Sequence, residues 1–396
     1  MLIHVIKPGE NLWDISRKYG VALKHLLQIN DLQKAGTVTY GQSILIPSDA
    51  WIHTVRPGQR IDIPTCPAKP KKIEVNAYIE ATGNINEQQS LEKAAPYLTY
   101  ISIFSYRIQK DGTLIPAPDS KLLDIAYKKG VAPLMVVSNL VQDIFSTALA
   151  TALLSDSSIQ DTLIEHILYF MRRKKYVGVN IDFEGISPKD LPAYHHFLRR
   201  LKTHLKEEGY ILTLSLPPKF MDGFYEPADS NYDYSVYKDI ADFLLIMTYG
   251  WGWSGGPPNP IAPLNLVRNE LVYACSYIPA EKIMMGIPLY GYDWTLPYSV
   301  GKQKAKAVDP VTAVQIAQKY GAMIYYDSCS NAPYFTYIDS DTKRHIVWFE
   351  DAKSLLAKYH LMRHMNLRGI SYWVLGGAFE QNWTLLNNLF SVSKIL

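Results

Sequence analysis

From residue 73 onward, short runs rich in β-branched and aromatic residues alternate with longer stretches whose apolar residues recur every three or four positions. The first kind of run marks strands, and the second marks helices that bury one face. The strand-like runs fall at 73–79, 100–106, 131–137, 178–184, 211–216, 243–249, 282–290 and 369–375. Strand and helix alternating in this number and rhythm predict an α/β fold, a (β/α)8 TIM barrel. A doubly wound open sheet is the alternative, and it calls for a glycine-rich phosphate loop after its first strand. This chain has Glu80-Ala81-Thr82-Gly83-Asn84 there.

The fourth run is the most informative. Val177, Val179, Ile181 and Phe183 alternate with Gly178, Asn180, Asp182 and Glu184, so the two sets face opposite ways on a strand. Ser187-Pro188-Lys189-Asp190 then reads as a helix start, with Ser187 as N-cap, Pro188 in the first helical position and Asp190 closing a capping box. Leu191, Tyr194, Leu198, Leu201 and Leu205 continue at helical spacing. Strand followed by helix puts the apolar set under the helices and the polar set inside a barrel or cleft. Asp182 and Glu184 then end the strand at its carboxyl edge, where active sites of parallel α/β folds lie. Carboxyls at i and i+2 are about 7 Å apart by strand rise. Burial and like charge both raise a carboxyl pKa, so one of the pair can stay protonated near neutral pH and act as a general acid. Taken without its context, a D-x-E reads first as a solvated pair on an edge strand, and it is the strand-to-helix setting that favours the active-site reading.

At these residues the chain resembles glycoside hydrolase family 18, whose signature D-x-x-D-x-D-x-E ends the fourth barrel strand. Asp182 and Glu184 are kept, while Val177 and Asn180 replace the first two aspartates. The resemblance implies that Glu184 protonates the glycosidic oxygen and that Asp182 orients the substrate's acetamido group. It also implies a substrate-assisted, retaining reaction through an oxazolinium intermediate. Asn180 would hydrogen-bond Asp182 without sharing a proton with it. Met247-Thr248-Tyr249 resembles the family's M-x-Y-D, whose Tyr hydrogen-bonds the acetamido oxygen, with Gly250 in place of the acid. The segment 286–291 resembles G-x-P-x-Y-G and brings in Tyr290, and Trp373 matches the indole that floors the sugar site. Tyr78, Phe104 and Lys219, at other strand ends, are further candidates to line the cleft. Gly255-Gly256-Pro257-Pro258 reads as a rigid loop at the cleft rim. The Tyr-rich segment 322–348, with a hairpin turn at Asp339-Ser340-Asp341, is expected to form one cleft wall.

Residues 1–49 pattern a separate βααβ unit: a strand at 3–6, a helix at 12–19 stopped by Gly20, a second helix at 23–28 and a strand at 44–47. The pieces H-V-I-K-P-G-E-N-L-W-D-I-S, I-N-D-L and G-Q-S-I-L-I-P are similar to the lysin motif, which binds N-acetylglucosamine polymers. The resemblance puts the glycan between Gly9, Glu10, Asn11 and Leu12 on one side and Ile29 and Asn30 on the other. Residues 53–64 repeat the motif's opening and closing phrases without its middle, so 50–72 is expected to be a degenerate second motif and linker. The barrel then occupies 73–396.

Composition changes little in this picture. A net charge of +3 gives no argument for nucleic acid. Cys66, Cys275 and Cys329 suggest neither a disulfide framework nor a zinc site, and the His195-His196 pair has no ligand spacing. No cofactor or metal is expected. No long apolar run spans a membrane, and no secretory signal peptide is recognisable at Met1-Leu2. A lysin motif joined to a family 18 barrel is similar to the spore cortex-lytic N-acetylglucosaminidases of endospore-forming bacteria. The resemblance implies a hydrolase of the spore or cell wall, acting on peptidoglycan or a chitin-like glycan, and a monomer is expected. A chitinase, and a chitinase-like lectin without turnover, are the alternatives.

Overall fold

The computed structural model describes residues 1–33, 38–47, 70–219 and 232–396. Eight parallel strands close into a barrel: Lys71–Glu80, Tyr100–Ile108, Ala132–Ser138, Gly178–Asp182, Ile211–Leu216, Phe243–Ile246, Ile283–Pro288 and Gly369–Trp373. Each pairs with the next, and the last pairs with the first through Gly369 and Glu74. The expected linker 50–72 is two residues too long at its end, because Lys71 and Lys72 already pair with Phe390 and Ser391. The rest of that segment, including the second-motif phrases and Cys66, lies outside the described residues except for Pro70.

The two-residue period decides which side chains go where. Val179, Ile181 and Phe183 join the core between strands and helices, while Tyr100, Leu134, Phe243 and Met284 fill the barrel interior. Val177 departs from the pattern: it precedes the strand and packs against the interior cluster. Gly178 faces inward, where a Cβ would come within 2.2 Å of Ile211 Cγ1 and 2.6 Å of the Ile211 carbonyl oxygen, so a larger residue would push neighbouring strands apart.

The capping box at Ser187 does not form. Residues Pro188–Asp190 make a 3-10 turn, the α-helix runs Leu191–Glu207, and the Ser187 side chain caps nothing. Asp190 instead accepts a 2.5 Å hydrogen bond from Thr151 Oγ1 on helix Thr147–Leu154. The helix that follows the fourth strand is thus pinned from another helix rather than capped from within.

Between the seventh and eighth barrel strands lies a five-stranded antiparallel sheet, in the order Lys306–Val308, Gly291–Leu296, Arg344–Trp348, Ala332–Ile338 and Tyr325–Asp327. Helix Pro310–Lys319 covers it over a core that includes Val308, Ala313, Phe335 and Val347. The hairpin turn expected at 339–341 is present, with Asp339 Oδ1 accepting from the amides of Asp341 at 2.9 Å and Lys343 at 2.8 Å. Strand Gly291–Leu296 meets the rim loop, where Trp294 Nε1 donates to the Gly256 carbonyl at 2.9 Å.

The N-terminal module has the expected order: strand Leu2–Val5, helices Leu12–Tyr19 and Leu23–Ile29, strand Ser43–Ile46. Asn11 caps the first helix, and Gly20 ends it at φ 64°. Its core of Ile6, Leu12, Ile15, Leu26, Ile44 and Ile46 is its own, but the module is docked on the barrel. Gln381 Nε2 donates to Asn30 Oδ1 at 2.8 Å and to the Ser43 carbonyl at 2.9 Å. Ser43 Oγ donates to Asp351 at 2.6 Å, and the Glu380 amide donates to Asp31 at 2.5 Å.

Candidate active site

At the carboxyl ends of the barrel strands is a cavity of about 190 Å³ lined by Tyr78, Phe104, Phe145, Asp182, Glu184, Ser215, Met247, Tyr249 and Trp373. Seven of these nine were expected from the sequence; Phe145 and Ser215 were not. The fourth strand ends at Asp182, so Glu184 sits two residues beyond the ladder, at the mouth. Trp373 forms an aromatic wall with Phe104, ring centroids 5.0 Å apart and nearly perpendicular, and with Tyr78 at 5.3 Å. The peptide bonds Phe104–Ser105 and Trp373–Val374, both next to lining residues, are cis.

Asp182 is buried, and its Oδ1 has no hydrogen-bond partner among the described residues. Burial raises its pKa to about 6, and a hydrogen bond with the Ser215 hydroxyl draws it back down. The expected bond between Asn180 and Asp182 is absent. Asn180 Nδ2 donates to Thr213 Oγ1 at 3.0 Å, and Asn180 Oδ1 accepts from Tyr78 OH at 2.9 Å and Ser215 Oγ at 3.1 Å. Thr213 is the registered cross-strand partner of Asn180, nearer than a side chain two residues along the same strand. Asn180 therefore underlies the cavity without lining it, and it holds Tyr78 and Ser215 in place.

Tyr249 follows the sixth strand, which ends three residues earlier than expected, at Ile246. Its ring lies against Gly286, where a Cβ would come within 2.7 Å of Tyr249 Cε1. Burial pushes the Tyr249 phenol well above the ordinary tyrosine pKa, so it is a neutral donor at the cavity wall. Tyr290 is not among the lining residues; its ring packs edge-on against Tyr292 at 5.3 Å. Lys219 is not among the lining residues either: its amide donates to Glu270 at 2.8 Å, and its ammonium lies 5.6 Å from the Tyr273 ring centroid.

Phe145 arrives on a short hairpin, Leu140–Val141 paired with Ile144–Phe145, inserted after the third strand. Among the described residues, no group of three or more acidic, His or Cys side chains could hold a metal ion. Cys275 and Cys329 are free thiols, and His195 Nε2 is bonded to Tyr237 OH at 3.0 Å. In the N-terminal module, Leu12, Ile29 and Asn30 are buried, and Asn30 spends its amide on Leu26, Leu45 and Gln381. Gly9, Glu10 and Asn11 lie at the surface, with Glu10 bonded to His4 Nε2 at 2.7 Å and to the Lys7 amide at 2.9 Å.

A closed (β/α)8 barrel that carries two carboxyls at the end of its fourth strand beside an indole wall has the build of a glycoside hydrolase. The chain belongs to the glycosyl hydrolases family 18, whose model matches residues 142–378, and a LysM domain matches residues 4–47. It is 37% identical to the cortical fragment-lytic enzyme of Bacillus subtilis (strain 168), over 100% of this chain and 99% of that one. To the cortical fragment-lytic enzyme of Bacillus anthracis it is 38% identical, over 99% of each. Among solved structures, the spore cortex-lytic enzyme SleL of Bacillus megaterium QM B1551 matches with a TM-score of 0.91 at 33% identity, over 100% of this chain and 99% of that one.

Proposed function

We propose that this glycoside hydrolase cleaves the β-linkage of N-acetylglucosamine in spore cortex peptidoglycan by a substrate-assisted, retaining route. Glu184, at the mouth, protonates the glycosidic oxygen as the bond breaks, and the substrate's own acetamido oxygen attacks the anomeric carbon. Asp182 accepts the acetamido N–H and supports the positive charge of the oxazolinium ring. Tyr249 donates to the acetamido oxygen, and Trp373 offers its face to the C–H side of the sugar. Glu184 then takes a proton from the water that opens the ring, which restores the acid.

The observation that carries this reading is the Asp182 carboxyl, buried in the same cavity as Glu184 and Tyr249, with one oxygen that has no partner among the described residues. A buried acceptor without a donor is costly unless a ligand supplies the donor, and an acetamido N–H is of the right kind. The full-length matches to cortex-acting enzymes of Bacillus support cortex as the substrate and the spore or cell wall as the place of action. The lysin motif would hold the glycan through the Gly9–Asn11 side, where Gly9 is exposed and Glu10 and Asn11 are half-buried, the chain acting as a monomer. Mass spectrometry of products from cortex fragments and from chitin oligosaccharides tests the reading, with Glu184→Gln as control. Fragments ending in reducing N-acetylglucosamine, made from cortex and absent with the variant, are expected. Cleavage of chitin alone would make it a chitinase, and binding without cleavage of either would make it a lectin.

A further inference from the structure

Glu184 stands beyond the end of its strand, where the sheet no longer holds the main chain. Asn139, the first residue after the third barrel strand, takes over that task. It is fully buried; its Oδ1 accepts from the Glu184 amide at 3.1 Å, and its Nδ2 donates to the Glu184 carbonyl at 2.9 Å and to the Ser146 carbonyl at 3.2 Å. The Ser146 amide in turn donates to the Asn139 carbonyl at 3.0 Å, closing the hairpin that carries Phe145 into the cavity. One residue on, Thr147 Oγ1 donates to the Gly185 carbonyl at 2.7 Å, where Gly185 turns the chain at φ 66°.

We propose that Asn139 is the positioning residue for the acid Glu184. Its amide continues the sheet by one artificial rung, matching both the N–H and the C=O of Glu184, and so sets where the carboxyl meets the leaving oxygen. A planar primary amide offers one acceptor and two donors at this reach. Aspartate keeps the shape but has no donor for the two carbonyls, and glutamine is a methylene too long. The same clamp fixes the hairpin, so the acid and the Phe145 ring keep their places relative to one another. The proposal rests on Glu184 being the acid.

The experiment compares kcat/KM, which reports only the bond-breaking half-reaction, on two substrates with the full chain. One is an oligosaccharide of N-acetylglucosamine, whose leaving alkoxide needs protonation; the other is a dinitrophenyl glycoside, whose phenolate leaves without it. Asn139→Ala is expected to lose about 10²-fold on the first, the effect of displacing a catalytic group by about 1 Å. On the second it should stay close to the parent. Asn139→Asp, which preserves volume, repeats the test if the alanine variant does not fold. Equal losses on both substrates, or none on either, would overturn the positioning role. Glu184→Gln on the same pair guards the underlying reading: if it shows no leaving-group dependence, Glu184 is not the acid and the failure lies there.

Discussion

Two carboxyls in this protein, Asp182 in the cavity at the strand ends and Asp31 at the junction of the lysin motif with the barrel, are both pushed up to about 6, with burial as the larger cause. Their surroundings are opposite. Asp31 receives the Glu380 amide at 2.5 Å and is held back by hydrogen bonds from Glu380 and Gln381, so it caps helix Glu380–Leu389, whose own N-cap residue, Phe379, has no side-chain acceptor. Among the described residues, Ser215 alone draws Asp182 down, and one of its oxygens meets no donor. Where folding uses a buried carboxyl, the donors come with it. Where chemistry uses one, a place is left for the ligand to fill.

The largest effect that could break this contrast belongs to the cavity. Glu184→Gln is expected to reduce cleavage of cortex fragments by about 10³-fold, the scale of general acid catalysis, with binding of the same fragments retained. Product release measured by chromatography, beside calorimetric binding, checks both halves. If the variant cleaves at the parent rate, the cavity has been misread.

Asp182→Asn comes next and separates function from stability. Activity should fall by about 10²-fold, since an amide cannot balance the oxazolinium charge. Stability should move the other way. The folded chain holds the Asp182 proton more tightly than the unfolded one, so the native state loses stability as pH rises from the unfolded value near 4 to about 6 and keeps that loss above it. The variant should therefore melt higher than the parent at pH 7.5 and alike near pH 4. A lower melting temperature at pH 7.5 would mean that Asp182 has a structural partner after all.

The same contrast explains what was legible in the sequence. Strand positions follow from a two-residue period, so the barrel and the inward set of Asn180 and Asp182 could be read directly. Motif residues at strand ends, such as Tyr249 and Trp373, came through family resemblance. Phe145 and Asn139 were hidden because their hairpin turns on Gln142 and Asp143, at φ 49° and 62°, without the Gly that usually announces such a turn. Ser215 is, with Thr213, one of two polar residues in an otherwise apolar strand, and one hydroxyl facing inward carries no motif. Cross-module contacts are illegible in principle: Asp31 caps a helix some 349 residues away, and no local spacing encodes that.

At the junction, Asn30→Ala sharpens the comparison on its other side. Asn30 bonds the Leu26 carbonyl at 2.8 Å, both backbone groups of Leu45 and the Gln381 amide, all buried. Losing it leaves those groups unsatisfied and should cost about 3 kcal/mol. Denaturant unfolding followed by tryptophan fluorescence measures the loss, while kcat on cortex fragments should hold, because no cavity-lining residue contacts Asn30. A fall in kcat with unchanged stability would show that the lysin motif reaches into the chemistry.

The smallest effect, and the most direct comparison, is Asp31→Asn. The amide oxygen still accepts from Glu380 and Gln381, so the cap survives, and only the charge is removed. Because the pKa of Asp31 is raised, its ionised form is the disfavoured one in the folded protein, and the penalty grows as pH rises from about 4 through about 6. The variant should match the parent near pH 4 and be more stable at pH 7.5 by about 1 kcal/mol, the shift being discounted for the partial exposure of the side chain. Calorimetric melts of both proteins at the two pH values decide it. Gains from both Asp31→Asn and Asp182→Asn, with activity lost only in the second, would establish that burial raises both pKa values and that partners distinguish a docking carboxyl from a working one. A variant less stable than the parent at pH 7.5 would instead mean that the charge of Asp31 is needed at the helix N-terminus.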